Sequence, residues 1–498
     1  MSLPAETAVP EVAARQGDLG RTASRGAGIT LVGQGIRILL QFASVTVLAR
    51  LLAPRDYGLL AVGLVMVGVG EVVRDLGLST AAIRAPQLSA RQRDGLFWVN
   101  AAAGLVLALL AVAAAGPIAA AFSQPELEPV ARVLAVTFVL NGLAAQYRAG
   151  LSRELRFRAL ASTDVIAQFV ALVVAVSAAV LGAGYWALVA QQLTQGAVSL
   201  LAAVLLAGWV PGLPRRGVGL RPFLRFGAGI TGTQLTYYLG NNLDNISLGL
   251  LAGPSALGLY NRGFQLLMTP LNQVRSPAST VAVPVLARIQ DDLERSADYL
   301  KRSQLVLGFT LVPALAVIAG ASVPVVHLVL GDRWSAVAPV LTLLAVAGSA
   351  QLLANVVSWV YLSRGLSGPL LRYTLVSLCL SAACIGVGCR FGVLGVATGY
   401  ATAALLEWPL SLWWVSRVTV VPGRDLLLGA LRIMGCALAA GTACFLATGL
   451  TAGWPAVSRI ASGGLAALAV YAVVAGLVPR IRRDVLDVLA WLPRMAGR

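Results

Sequence analysis

Charge is scarce in this sequence: Asp, Glu, Lys and Arg together make up 12% of its residues, about half the ~25% of a soluble globular domain. Histidine occurs once, as His327, and acids number 21 against 38 basic residues. No HExxH, no P-loop ending in GK[ST], no GxSxG and no run of acidic ligands is present, which leaves no signature for a zinc protease, an α/β-hydrolase or a chain that drives transport with its own nucleotide site. The five cysteines, Cys379, Cys384, Cys389, Cys436 and Cys444, lie in or beside apolar runs and have neither zinc-type pairing nor the setting of a secreted disulfide framework. They read as small packing residues. His327, in Pro-Val-Val-His-Leu, reads as an interfacial residue rather than a base.

What is abundant is apolar sequence, at 58% hydrophobic residues and a mean hydropathy of +0.81. Runs of about 20 residues, the length that carries an α-helix across a ~30 Å hydrocarbon core, recur along the chain. Breaks at charges, Pro and Gly give fourteen candidate spans, near 29–49, 57–76, 95–121, 130–147, 161–182, 185–208, 224–250, 257–283, 303–330, 337–361, 369–389, 392–416, 426–449 and 457–478. The first run is too long for a signal-peptide core and is expected to stay as a membrane helix.

The net charge of +17 would suggest nucleic acid in a soluble protein, but here the arginines gather in short segments between apolar runs. That pattern is topology, and no nucleic-acid partner is expected. With the N-terminus inside, 27 Lys and Arg fall on the cytoplasmic face and five on the other, namely Arg50, Arg55, Arg333, Arg390 and Arg459. The positive-inside rule then places both termini in the cytoplasm of a multi-pass inner-membrane protein.

The pentapeptide Gly26-Ala-Gly-Ile-Thr30 recurs as Gly227-Ala-Gly-Ile-Thr231. At the same offset of 200 or 201, Gln34 meets Gln234, Gln41 meets Asn241, Gly58 meets Gly258 and Arg74 meets Arg275. This predicts an all-α membrane protein of about 14 transmembrane helices, with two pseudo-symmetric six-helix lobes around a central cavity and two extra C-terminal helices. The expected divisions are a tail at 1–27, an N-lobe at 28–210, a C-lobe at 211–416, the added helices at 417–478 and a cytoplasmic tail at 479–498.

In the first run Thr30, Gln34, Arg37, Gln41 and Ser44 share one helical face. Arg37 lies about eight residues, ~12 Å, inside the boundary, too deep to snorkel, so it needs a wet cavity or a partner such as Glu71 or Asp75. The seventh and eighth runs repeat the design with Gln234, Tyr237, Tyr238, Asn241, Asn242, Asp244 and Asn245, then Arg262, Gln265, Thr269, Asn272, Arg275 and Ser276. Guanidinium groups bind phosphate in a bidentate fork and amides match hydroxyls, so Arg37, Gln34, Gln41, Arg74, Arg262, Arg275, Gln234 and Asn241 are expected to bind an anionic, sugar-bearing ligand. For Arg74 and Arg275 interfacial anchoring competes with that reading, and Arg262 has the option of snorkelling outward. Arg132 and Arg432 read as interfacial, with Glu126 or Glu128 as partner for Arg132. Intramembrane acids are candidates for ion coupling: Asp244 with Asn245 beside it, and Glu407, which precedes Trp408-Pro409 and alternatively marks a kink. Asp164 is a weaker candidate. No cofactor is expected beyond Na⁺ or H⁺ as the coupled ion.

The stretches Leu48-Ala-Arg-Leu-Leu-Ala-Pro-Arg-Asp-Tyr-Gly-Leu-Leu-Ala-Val62, Asp75–Arg84, Gly184–Gln191 and Asn242–Arg262 resemble the Wzx-type polysaccharide flippases, a branch of the multidrug/oligosaccharidyl-lipid/polysaccharide exporter superfamily. The resemblance covers residues ~28–420. It implies alternating access by a monomer, with a polyprenyl-diphosphate-linked glycan as ligand, and polysaccharide polymerase and glycosyltransferases as functional partners. It also implies cavity arginines on helices 1, 2 and 8 and an acid on helix 7, which Arg37, Arg74, Arg262, Arg275 and Asp244 match by helix. The alternatives are a multidrug or cation antiporter of the same superfamily and a membrane polymerase or glycosyltransferase. The latter needs a sizeable outer domain, whereas outer loops such as Ser123–Pro129, Ala252–Ala256 and Gly331–Ala336 are a few residues long.

Overall fold

The computed structural model describes residues 32–75, 77–84, 88–214, 234–235 and 238–496. Among these the secondary structure is helical throughout. The repeated pentapeptides, and Thr30 and Tyr237, lie outside the described residues. The chain divides into two compact units, one comprising the described residues up to Leu52 with Leu59–Asn242, the other Ala53–Gly58 with Leu243 onward.

The first unit holds α1 (Val32–Leu51), most of α2 (Pro54–Asp75), α3 (Leu78–Arg84), α4 (Ala90–Ala121), α5 (Leu127–Leu134), α6 (Val136–Arg153), α7 (Phe157–Val180) and α8 (Tyr185–Ala207). Ser89 starts α4 with a reciprocal capping box to Gln92. Small residues then set the packing, since lipid tails give helices no hydrophobic reason to associate and close backbone approach must do it. A Cβ on Gly104 of α4 would meet the carbonyl oxygen of Phe138 at 2.5 Å, and one on Gly142 of α6 would meet that of Asn100 at 2.7 Å. On α7 the buried stripe Ala167, Ala171, Ala175 and Ala179 repeats every four residues and packs α7 on α8.

The second unit holds α9 (Leu243–Leu251), α10 (Gly253–Arg288), α11 (Leu293–Gly320), α12 (Ser322–Val329), α13 (Val337–Ser363), α14 (Ser367–Gly388), α15 (Gly392–Val418), α16 (Gly423–Leu450), α17 (Ala456–Leu477) and α18 (Pro479–Ala496). Its centre is α13, whose Leu341, Leu344, Ala347, Leu352 and Trp359 are buried. The helices α16 and α17, beyond the sequence repeat, pack on α11 and on each other.

Eleven stretches among the described residues are long and apolar enough to span a membrane. One of them, Ser367–Val418, is 52 residues long and folds as the α14–α15 hairpin, turned by the short 3₁₀ segment Cys389–Phe391 and by Gly392 at φ 69°. The 36-residue α10 is not among the eleven, because polar residues and three interior prolines interrupt it. Of the seventh expected run, 224–250, residues 224–233, 236 and 237 lie outside the described residues, and the count of fourteen is not reached among the described ones.

The tail expected at 479–498 carries a structure of its own. In α18 the side chains of Ile481 and Val488 are buried, and Asp484 accepts a 2.8 Å hydrogen bond from Arg432 Nε on α16. Arg432 therefore serves as the anchor of α18 rather than as a plain interfacial residue. Desolvation holds the Asp484 carboxyl above its ordinary range, with Arg432 opposing that shift.

Candidate functional site

Within the first unit α1 presents two faces. Val32, Ile36 and Leu39 point outward, while the opposite stripe meets α7 and α8. Gln168 donates to the backbone oxygen of Arg37 at 3.3 Å, and Gln191 donates to Ser44 Oγ at 2.9 Å. The Arg37 guanidinium bonds to Asp164 Oδ2 at 3.2 Å, and the other oxygen of Asp164 takes Arg148 from α6 at 2.8 Å. Arg148 also donates to Ser199 at 3.2 Å. The partner of Arg37 is thus Asp164, 127 residues away, and not Glu71 or Asp75. Two guanidiniums share one carboxylate. All three side chains remain partly open, at 42%, 25% and 35% of their surface for Arg37, Asp164 and Arg148. Gln34 and Gln41 lie half-buried on the same helix.

Arg74 behaves differently. It is 7% exposed and locked by Glu71, with Nε to Oε2 at 2.8 Å, while Asn141 of α6 donates to the other oxygen of Glu71 at 2.9 Å. It is neither an interfacial anchor nor open to a ligand in this conformation.

The repeat-related residue in the second unit, Arg275, keeps the i−3 contact but finds an amide there. It donates to Asn272 at 3.4 Å, and across to α13 it donates to Gln351 at 3.4 Å and Asn355 at 3.3 Å. Gln351 in turn donates to Tyr400 on α15 at 2.9 Å. Phe264 fills the space from Tyr400 to Tyr260, with ring centroids at 6.0 and 6.1 Å. Tyr260 donates to Asp244 Oδ2 at 2.6 Å, and the backbone N–H of Asn245 donates to Oδ1 at 2.8 Å. A continuous polar and aromatic path therefore joins Asp244 on α9 to Arg275 on α10. Asp244 is 2% exposed.

Beside Asp244, Asn245 accepts from Asn261 at 3.4 Å, and Asn242 donates to the Tyr238 carbonyl at 2.9 Å. Asn241 and Gln234 are exposed. Glu407 accepts a short bond from Ser381 of α14, and its backbone oxygen faces the Tyr373 hydroxyl at 3.5 Å. It lies two residues before Pro409, inside α15.

Arg262 does not snorkel. Its guanidinium is buried over the ring of Tyr57 at 3.7 Å, and that ring meets Trp334 edge-on at 5.4 Å. Arg132 pairs with Glu128. His327 bonds Asp332 through Nδ1 at 2.7 Å, in keeping with an interfacial residue. All five cysteines are free thiols, with Cys436 and Cys444 buried. Among the described residues no group of three His, Cys, Asp or Glu converges to hold a metal.

The long apolar helices, packed on one another, define a multi-pass membrane protein. The chain belongs to the polysaccharide biosynthesis protein family, whose pattern residues 47–339 match. It is similar to the lipopolysaccharide biosynthesis protein WzxC of Escherichia coli K12, 26% identical and covering 78% of this chain and 79% of that one. It is also similar to the succinoglycan biosynthesis transport protein ExoT of Rhizobium meliloti, 25% identical over 66% of each. Among solved structures the fold is shared with the lipid II flippase MurJ in an inward closed conformation, at a TM-score of 0.70 and 13% identity, covering 89% of this chain and 98% of that one.

Sequence reasoning missed Arg148, Asn141, Gln351 and Tyr400. Arg148 is one of the 27 basic residues that the charge count places on the cytoplasmic face. The signal for Asn141 and Arg148 is their spacing of seven residues on α6, two turns of one face.

Proposed function

We propose that this protein is a flippase, not an enzyme, that moves a lipid-linked oligosaccharide from the cytoplasmic to the outer leaflet of the bacterial inner membrane by alternating access. The cargo is a glycan joined to a polyprenyl anchor through a diphosphate, destined for a cell-surface polysaccharide. The observation that carries this reading is the pair Arg37 and Arg148 on a single partly open carboxylate, in a family named for polysaccharide biosynthesis. A diphosphate has the charge and the oxygens to replace Asp164 on both guanidiniums, and Arg275, the repeat counterpart of Arg74, is bonded to the amides of Asn272, Gln351 and Asn355 in the second unit.

In this reading Gln34, Gln41, Gln234 and Asn241 face the sugars, Arg74 and Arg262 support the fold around the ligand, and both termini are cytoplasmic. The domain division follows the sequence repeat at 28–210 and 211–416. Energy comes from an Na⁺ or H⁺ gradient acting at Asp244, with Asn245 at its side and Glu407 as the second candidate. The path from Asp244 through Tyr260, Tyr400 and Gln351 supports coupling of ion occupancy to Arg275. Glycosyltransferases supply the cargo and a polysaccharide polymerase consumes it.

The test is export of surface polysaccharide in cells lacking the gene and complemented with variants. Arg37→Ala should abolish export while the protein accumulates, and Arg37→Lys should restore it only in part, since an ammonium cannot reproduce the fork. Normal export by Arg37→Ala would show that the charge is structural and the phosphate site wrong.

A further inference from the structure

Helix α6 serves two sites from opposite faces. Asn141 and Arg148 point to the clusters of Glu71 and Asp164. Gln146, Ala149, Gly150 and Arg153, spaced as i, i+3, i+4 and i+7, line instead a cavity of about 230 Å³ closed by the start of α4 and by Trp209 beyond the end of α8. We propose that this cavity is a binding pocket for a phosphate group, separate from the Arg37 site and independent of the transport reading.

The unmatched atoms in its wall are of one kind. Gln146 is 1% exposed and its Nε2 donor has no hydrogen-bond partner, and the same holds for the buried Nε of Arg93. Both are donors, so the missing group is an acceptor. Arg153 adds a second guanidinium, held in place by an Nη1 bond of 2.9 Å to the Ala82 carbonyl. Glu154, the one acid in the lining, is 3.7 Å from Arg156. Two cations and an amide donor around one space favour a multiply charged oxygen acceptor.

A sugar fits less well. The flat surface on which a sugar would stack is Trp209, and the Arg93 guanidinium covers its ring at 4.0 Å while Tyr147 lies against it at 4.8 Å. The aromatic residues thus position the cation instead of presenting a platform. Trp98 secures the same segment by donating to the Gly212 carbonyl at 2.8 Å, so the wall is built in advance of binding.

The phosphate could come from a lipid headgroup or from solution, and the two are separable. The full-length protein, purified in a non-ionic detergent, is titrated with phosphatidylglycerol, with diacylglycerol lacking the phosphate and with inorganic phosphate, and binding is read by native mass spectrometry and thermal shift. Phosphatidylglycerol or inorganic phosphate should bind to wild type and be weakened about 10-fold or more by Gln146→Glu, which keeps shape and replaces the donor by an acceptor, and by Arg93→Gln. Arg37→Gln should leave this binding unchanged. Binding of phosphatidylglycerol without inorganic phosphate identifies a lipid headgroup, and the reverse a soluble phosphate. Diacylglycerol binding as tightly as phosphatidylglycerol, no binding of either phosphate probe, or equal binding by well-folded Gln146→Glu would overturn the proposal. Elution of each variant as a single monodisperse peak separates loss of the site from loss of the fold, and Arg37→Gln losing the signal would assign it to the transport site instead.

Discussion

Gly58 and Gly258 meet each other's segment reciprocally. A Cβ on Gly58 would stand 1.7 Å from the carbonyl oxygen of Pro254, and a Cβ on Gly258 would stand 1.9 Å from that of Pro54. The four residues are two repeat-related pairs, each separated by 200 positions, so the internal repeat read in the sequence reappears as a self-complementary contact. Neither oxygen can retreat without moving a helix end. We expect Gly58→Val or Gly258→Val to cost ~3 kcal/mol or more through overpacking and to reduce membrane accumulation several-fold. Fluorescence-detected size exclusion of a tagged protein checks this, and wild-type accumulation by either variant would contradict it.

Arg74 and Arg275 occupy equivalent positions in the repeat, yet one is locked by Glu71 and the other is held by amides at 3.3–3.4 Å. Arg74→Gln leaves a carboxylate without its cation, which for a buried pair costs ~3–5 kcal/mol, so accumulation should fall and recover in the Arg74→Gln, Glu71→Gln double variant. Arg275→Gln should accumulate normally and lose export. Accumulation and export measured side by side distinguish the two, and the same phenotype for both single variants would contradict the assignment.

Asp164 competes with an anionic ligand for Arg37 and Arg148. Asp164→Asn should therefore tighten binding of a polyprenyl diphosphate by ~5-fold or more, the scale of one weak charge-assisted bond. Scintillation proximity binding on purified protein reads this directly, and weaker binding by a folded Asp164→Asn protein would mean that the carboxylate organises the site.

The raised pKa of Asp484 makes the docking of α18 pH-dependent. A folded-state value above the unfolded one gives a contribution that is fully present below the unfolded pKa, ~3.9, and is lost as pH rises through the folded value. Protection of α18 against hydrogen exchange, corrected for intrinsic rate, should rise on acidification from neutral pH in wild type and stay flat in Asp484→Asn. A fall in wild-type protection would show that the Arg432 pair outweighs desolvation.

Helix positions were legible in the sequence because the membrane imposes a length and an apolar composition that local reading detects, as for Val32–Leu51 and Gly423–Leu450. The polar stripe of Arg37 was legible for the same reason, since helical periodicity is local. Its partner was not: Asp164 lies on α7, and the nearer acids Glu71 and Asp75 proved to be engaged with Arg74 and Ser79. Asp244 stood out as an acid in an apolar run, but Tyr260, which donates to it, looks in sequence like ordinary aromatic packing. The helix α18 was not legible in the stretch 479–498, because the burial of Ile481 and Val488 comes from packing on α11 and α17, which a local reading does not see.

The most direct test reconstitutes the protein in liposomes carrying a fluorescent polyprenyl-diphosphate oligosaccharide in one leaflet and follows its appearance in the other under imposed Na⁺ or H⁺ gradients. Wild type should flip the lipid, and one of the gradients should accelerate it. Arg37→Ala should fall to the rate of empty liposomes, and Asp244→Asn should flip without responding to the gradient. Wild-type protein that moves the lipid no faster than protein-free liposomes, with or without either gradient, would contradict the account.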